Sequence, residues 1–237
     1  MKKKKKTKKS KMNKFIRIVI YLVFLLIVFN LAPNYEKNDL YVENTINLII
    51  DNNNVTKNLE YNLFIDEKNV VYMSIEDIKE YFDEEIKYDK ESNEIITIYG
   101  EKEAKLPLNE NIIKINTWEV DVLSGAIQKD NICYIPITAM GNIYELDIDY
   151  IDKEKILLLD SLTKKLVKAD ISKKCDVKYK PTGFSKTVAK LQRADKVICI
   201  EKLENNWTKI RTKNGSIGYV KTKILQNEIY IREDLWF

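Results

Sequence analysis

The sequence predicts an N-terminal transmembrane helix, then an α+β domain built from a repeat, then a small all-β barrel. Three observations carry this reading: an apolar run behind ten cations, a strand-and-helix pattern that returns after sixty-two residues, and a basic C-terminal stretch of short strands and tight turns. With 45% hydrophobic residues, 3 Trp, 14 Tyr and 7 Phe, the 237-residue chain holds apolar mass for one or two cores. General disorder is thereby excluded.

Residues 1–14 read as a basic cytoplasmic tail. Met1 to Arg17 holds ten Lys or Arg and no acid: Lys2 to Lys6, Lys8, Lys9, Lys11, Lys14 and Arg17. Residues 15–32, FIRIVIYLVFLLIVFNLA, follow as a transmembrane anchor or signal segment, since Ile18 to Phe29 is unbroken apolar or aromatic and Arg17 can snorkel to the headgroups. The cationic flank orients the N-terminus inward. A cut after Ala32 would leave Asn30 at the third position back, which disfavours cleavage. The expected location is therefore the cell membrane, single-pass with the C-terminal domains extracytoplasmic, and the cytoplasmic membrane is a partner through residues 15–32. With cleavage the product would be secreted.

Residues 33–58 read as a linker, rich in Asn and Asp between Asp51 and Lys57. Charge then divides the remainder. Residues 33–169 carry 15 basic and 28 acidic residues, net −13, whereas residues 170–226 carry 14 and 5, net +9. Two modules with different electrostatic roles account for this better than one uniform domain.

Within residues 59–166, LFIDEKNVVYMSI suggests a hairpin with Leu63, Ile65, Val71 and Met73 as candidates for buried faces. Ile75, Ile78, Tyr81 and Phe82 then lie on one helical face, with Ser74 placed to cap and Asp77 three residues on. Tyr72-Met73-Ser74-Ile75 returns as Tyr134-Ile135-Pro136-Ile137, and Ile86-Lys87-Tyr88 as Ile148-Asp149-Tyr150. The duplication predicts two hairpin–helix–hairpin units sharing a core. The entry to the short helix and the Ile-x-Tyr turn resemble the stalk-like domain named after the N-terminal domain of copper amine oxidases, common in secreted and surface proteins of Gram-positive bacteria. The resemblance implies a spacer or protein-contact module, without copper or oxidase chemistry here.

Residues 167–228 change to strand-and-turn grammar, ending in a tail at 229–237. Cys175-Asp-Val-Lys with Pro181-Thr-Gly183, Asn206-Trp207-Thr-Lys-Ile210 and Asn214-Gly215-Ser-Ile-Gly218-Tyr219-Val220 resemble a bacterial SH3-type domain. The usual first-loop signature is altered to Lys178-Tyr-Lys-Pro181-Thr-Gly183. The resemblance implies recognition of cell-wall peptides or extended segments in a groove beside that loop. Tyr179, Trp207 and Tyr219 are candidates for an aromatic floor, with Lys178 and Lys180 facing carboxylates. Alternation assigns Val177, Val197, Cys199, Ile210 and Val220 to the core.

No catalytic residue is expected. The chain has no His, no Gly-x-Ser-x-Gly elbow and no Gly-rich phosphate loop, so His general bases and His-based zinc sites are excluded. Asp83-Glu84-Glu85 offers adjacent carboxylates but reads as a solvated turn. No metal or cofactor is expected. Cys133, Cys175 and Cys199 are too few for a disulfide scaffold and sit in apolar strand patterns, so they are expected to be buried thiols. The functional expectation is a membrane-anchored, non-catalytic protein whose partners are peptidoglycan peptide or an anionic wall polymer, with a protein partner for the stalk and no nucleic acid. The alternatives are an accessory region of a chitinase-like glycoside hydrolase and a purely structural module.

Overall fold

The computed structural model describes residues 19–23 and 41–230. The chain divides into two units, Met1–Lys37 and Asn38–Phe237. In the first, residues 19–23 are helical with exposed side chains. No helix among the described residues is long and apolar enough to cross a membrane. The transmembrane helix expected over residues 15–32 is corrected accordingly. The membrane anchor, the single-pass location and the cytoplasmic membrane as partner fall with it. The rest of that segment and the basic tail lie outside the described residues.

The second unit begins within the stretch expected as linker. β1 (Asn47–Ile50) and β2 (Asn53–Asn54) form a hairpin turned by Asp51 and Asn52, both at positive φ. The repeat then shows its symmetry. β3 (Phe64–Ile65) pairs with β4 (Val71–Ser74), which leads into α1 (Ile75–Tyr81). β10 (Ile127–Lys129) pairs with β11 (Ile132–Pro136), which leads into α2 (Ile137–Tyr144). β4 and β11 pair with each other, Met73 opposite Ile135, so residues sixty-two apart face across a local two-fold axis. Both side chains are fully buried.

Local chemistry fixes each helix start. The Ser74 hydroxyl accepts from the Asp77 amide at 3.0 Å and donates to the Asp77 carboxylate at 2.6 Å. Asp77 also accepts from the Glu60 and Tyr61 amides, so this buried carboxylate is well supplied with donors. Pro136 offers no side-chain cap. Asp83 departs from the expected solvated turn. It is buried, and its carboxylate accepts from the hydroxyls of Thr97 and Tyr144, which joins the first repeat to the helix of the second repeat. Glu84 and Glu85 are exposed.

Between the helices, β5 (Lys87–Asp89), β6 (Glu94–Tyr99), β7 (Lys102–Pro107), β8 (Ile112–Ile115) and β9 (Trp118–Asp121) form a five-stranded meander in that order. After α2, β12 (Leu146–Ile151) turns into β13 (Ile156–Ser161), and β13 pairs in parallel with β1. All five residues of ILLLD, Ile156 to Asp160, are buried because this sheet is covered on both faces. Leu48, Leu157 and Leu159 face the main core, while Ile49, Ile156 and Leu158 form a second cluster with Tyr41, Ile151 and Ile217.

The C-terminal module, expected as a small closed or half-closed barrel, is a seven-stranded, partly curled sheet. It is built from β14 (Val167–Ile171), β15 (Cys175–Lys178), β16 (Thr187–Leu191), β17 (Lys196–Lys202), β18 (Trp207–Thr212), β19 (Ile217–Lys221) and β20 (Leu225–Tyr230). The order is β16-β15-β19-β18-β17-β14-β20, and its two edge strands do not pair with each other. Val177, Val197, Ile210 and Val220 lie in its core. A Cβ on Gly218 would meet Val177 at 2.6 Å, and Gly215, at φ +76°, would press one on Ile156 at 3.0 Å.

The two modules are tied by charge. Arg211 on β18 donates through both terminal nitrogens to the two carboxylate oxygens of Asp160 on β13, at 2.8 and 2.5 Å, with both residues buried. The Tyr41 hydroxyl adds a bond to the Gly215 carbonyl at 2.5 Å. Removing one partner leaves a buried, unpaired charge. Arg211→Ala or Asp160→Ala is predicted to cost about 3–5 kcal/mol in urea denaturation, whereas Arg211→Met with Asp160→Leu recovers most of it. Single variants within about 1 kcal/mol of wild type would contradict the buried pairing.

Candidate functional site

The residues singled out from sequence gather on one end of the curled sheet. Register places Lys178 opposite Tyr219, Tyr219 opposite Lys209 and Trp207 opposite Lys221. Paired residues share a face, so Lys178, Tyr219, Lys209, Trp207 and Lys221 stand on the face opposite Val177, Ile210 and Val220. Lys178 is held there by Asp176 at 3.2 Å and by Thr187 at 2.9 Å. The same lysine keeps the Asp176 carboxyl below the usual carboxylate range.

The aromatic residues divide. Trp207 and Tyr219 keep 6% and 5% of their exposure, so they back the surface instead of forming an open floor. The Lys221 ammonium lies 4.1 Å from the Trp207 ring centroid, a cation–π contact. Tyr179 is half-buried and Lys180 exposed, at the start of the loop that joins β15 to β16. That loop is braced internally: the Tyr179 amide donates to the Lys186 carbonyl at 2.9 Å and the Lys180 amide to the Ser185 hydroxyl at 2.8 Å. At its tip Phe184 is fully exposed. Sequence reasoning passed over Phe184, although a lone aromatic beside Pro181 and Gly183 in a polar loop was a usable signal.

A second concavity, about 350 Å³, opens between the modules and is lined by Asp149, Leu158, Lys168, Lys196, Arg211 and Lys213 among others. Its cations face an acid, and its Arg211 is spent on Asp160. Among the described residues no group of three or more Cys, Asp or Glu side chains is placed to share a metal ion.

With this geometry in view, the family comparison falls on the first module. Residues 49–159 match the model of the copper amine oxidase N-terminal domain. A copper-amine-oxidase-like domain is present. The match starts within β1 and ends within β13, so it takes in the parallel pair that closes the repeat. This domain is a non-catalytic stalk region, in line with a non-enzymatic assignment. Among curated proteins, none matches the chain.

The three thiols are free; Cys133 is buried and Cys175 and Cys199 are half-buried. Burial, with the Glu228 carboxylate as a smaller cause, pushes the Cys199 thiol up to about 11. Unfolded, the same thiol titrates near 9. Between these values the folded chain holds the proton that the unfolded chain has lost, so this contribution to stability is present below about pH 9 and is lost as pH rises towards 11. The melting temperature is predicted to fall across that window, and to fall less in Cys199→Ala. An identical slope in the variant would refute the assignment.

Proposed function

We propose that the chain is a non-catalytic binding protein in which the copper-amine-oxidase-like domain is a support and the curled basic sheet carries the ligand surface, at residues 178–186. The observation that carries this reading is Phe184. Leaving such a ring in water forgoes about 1.5–3 kcal/mol of burial, and the loop's own hydrogen bonds hold it outward. Lys180 and Lys186 flank it. Lys178 and Lys180 supply a cationic rim beside the Tyr179 ring, and Trp207 and Tyr219 stiffen the strands behind it.

In this reading the sheet is an opened variant of the bacterial SH3-type domain, supported by the close strand crossing at Gly218 and the turn at Gly215. The ligand is an extended chain bearing carboxylates and an apolar group, bound by ring contact and by charge. Fluorescence anisotropy with a labelled octapeptide alternating Glu and Leu tests it. Saturable binding is expected, weakened about tenfold by Phe184→Ser combined with Lys180→Glu. Both residues are exposed, so the melting temperature should hold. Undiminished binding by the double variant would overturn the proposal.

A further inference from the structure

The geometry points to a second interaction surface, on the stalk domain: the free edge of β9 is a docking edge for an extended segment in which basic and apolar residues alternate. β9 ends the five-stranded meander, and no strand among the described residues lies beyond it. Its four residues, Trp118 to Asp121, are all exposed.

The register decides which groups face outward. Ile115 pairs with Trp118 across the turn at Asn116 and Thr117, and Ile113 pairs with Val120. In an antiparallel ladder bonded pairs alternate, so Trp118 and Val120 spend their backbone groups on β8. Glu119 and Asp121 turn theirs to the open edge, where no described backbone group meets them.

The side chains alternate the other way. Trp118 and Val120 stand on the face shared by Ile113 and Ile115, which pack against the main core, yet they overhang it at 77% and 38% exposure. An added strand would cover them. Glu119 and Asp121 project on the opposite face, each beside an outward backbone site.

A second copy of this chain is a poor occupant. Two copies of β9 related by a two-fold axis along the sheet normal must pair outward residue with outward residue. Every such register sets Glu119 or Asp121 against Glu119 or Asp121, like charges directly opposite. The same geometry favours a strand with Lys or Arg opposite Glu119 and Asp121, and apolar residues opposite Trp118 and Val120.

The test uses the full chain and two labelled octapeptides of equal composition, one alternating Lys and Val, the other with its lysines and valines in separate blocks. The alternating peptide is expected to bind about fivefold or more tightly, and Glu119→Lys with Asp121→Lys should abolish that preference. A single Glu119→Lys gives an independent reading. Its new ammonium would lie opposite Asp121 of a second copy, twice per pair, so sedimentation velocity should show more self-association than wild type and than the double variant. Equal binding of the two peptides would overturn the inference and leave the acids as a guard on the edge, and Glu119→Lys sedimenting as wild type would overturn it too.

Discussion

A guanidinium and a carboxylate withdrawn from water are tolerable only when each meets the other, and Arg211 and Asp160 do so through two near-parallel bonds. The pair reaches across the boundary between an acidic module and a basic one. Around it the fit is apolar: Ile49, Ile156 and Leu158 on one side, Ile217 on the other, with Tyr41 bridging to Gly215. Strand β13 is the common wall. One face completes the core of the repeat and the other receives the curled sheet, which is why its sequence is a continuous apolar run ending in an acid.

The same economy holds inside the repeat. Buried acids there are structural: Asp77 accepts from the hydroxyl of the capping Ser74 and from two amides, and Asp83 takes two hydroxyls from separate elements. A carboxylate so committed has little to offer a reacting substrate. Burial against Asp83 accordingly raises the Tyr144 hydroxyl well above the ordinary tyrosine range. The two surfaces proposed for partners, the tip at Phe184 and the edge at β9, are ones the fold does not use.

Local signals were legible in the sequence. The 75, 78, 81 and 82 spacing marked α1, Ser74 marked its cap, and the sixty-two-residue repeat placed Met73 and Ile135 as equivalents that the structure sets face to face. Gly215 and Gly218 stood in a motif, and each proves to sit where a side chain would collide. Non-local facts were not legible. β1 lies more than a hundred residues from its partner β13, in a polar stretch that reads as linker. β14 and β20 add two strands beyond the segments that carry the motifs, because their pairing with each other and with β17 leaves no local trace. Asp83 looked solvated since the sequence cannot reveal that Thr97 and Tyr144 converge on it, and no pattern distinguished Arg211 from the other cations of the basic module.

The repeat domain and the curled sheet form one cooperative body closed by the Arg211–Asp160 pair. Differential scanning calorimetry of the intact chain tests it most directly. A single transition is expected, with agreeing calorimetric and van't Hoff enthalpies. Two resolved transitions in the wild-type chain, one for each module, would contradict it.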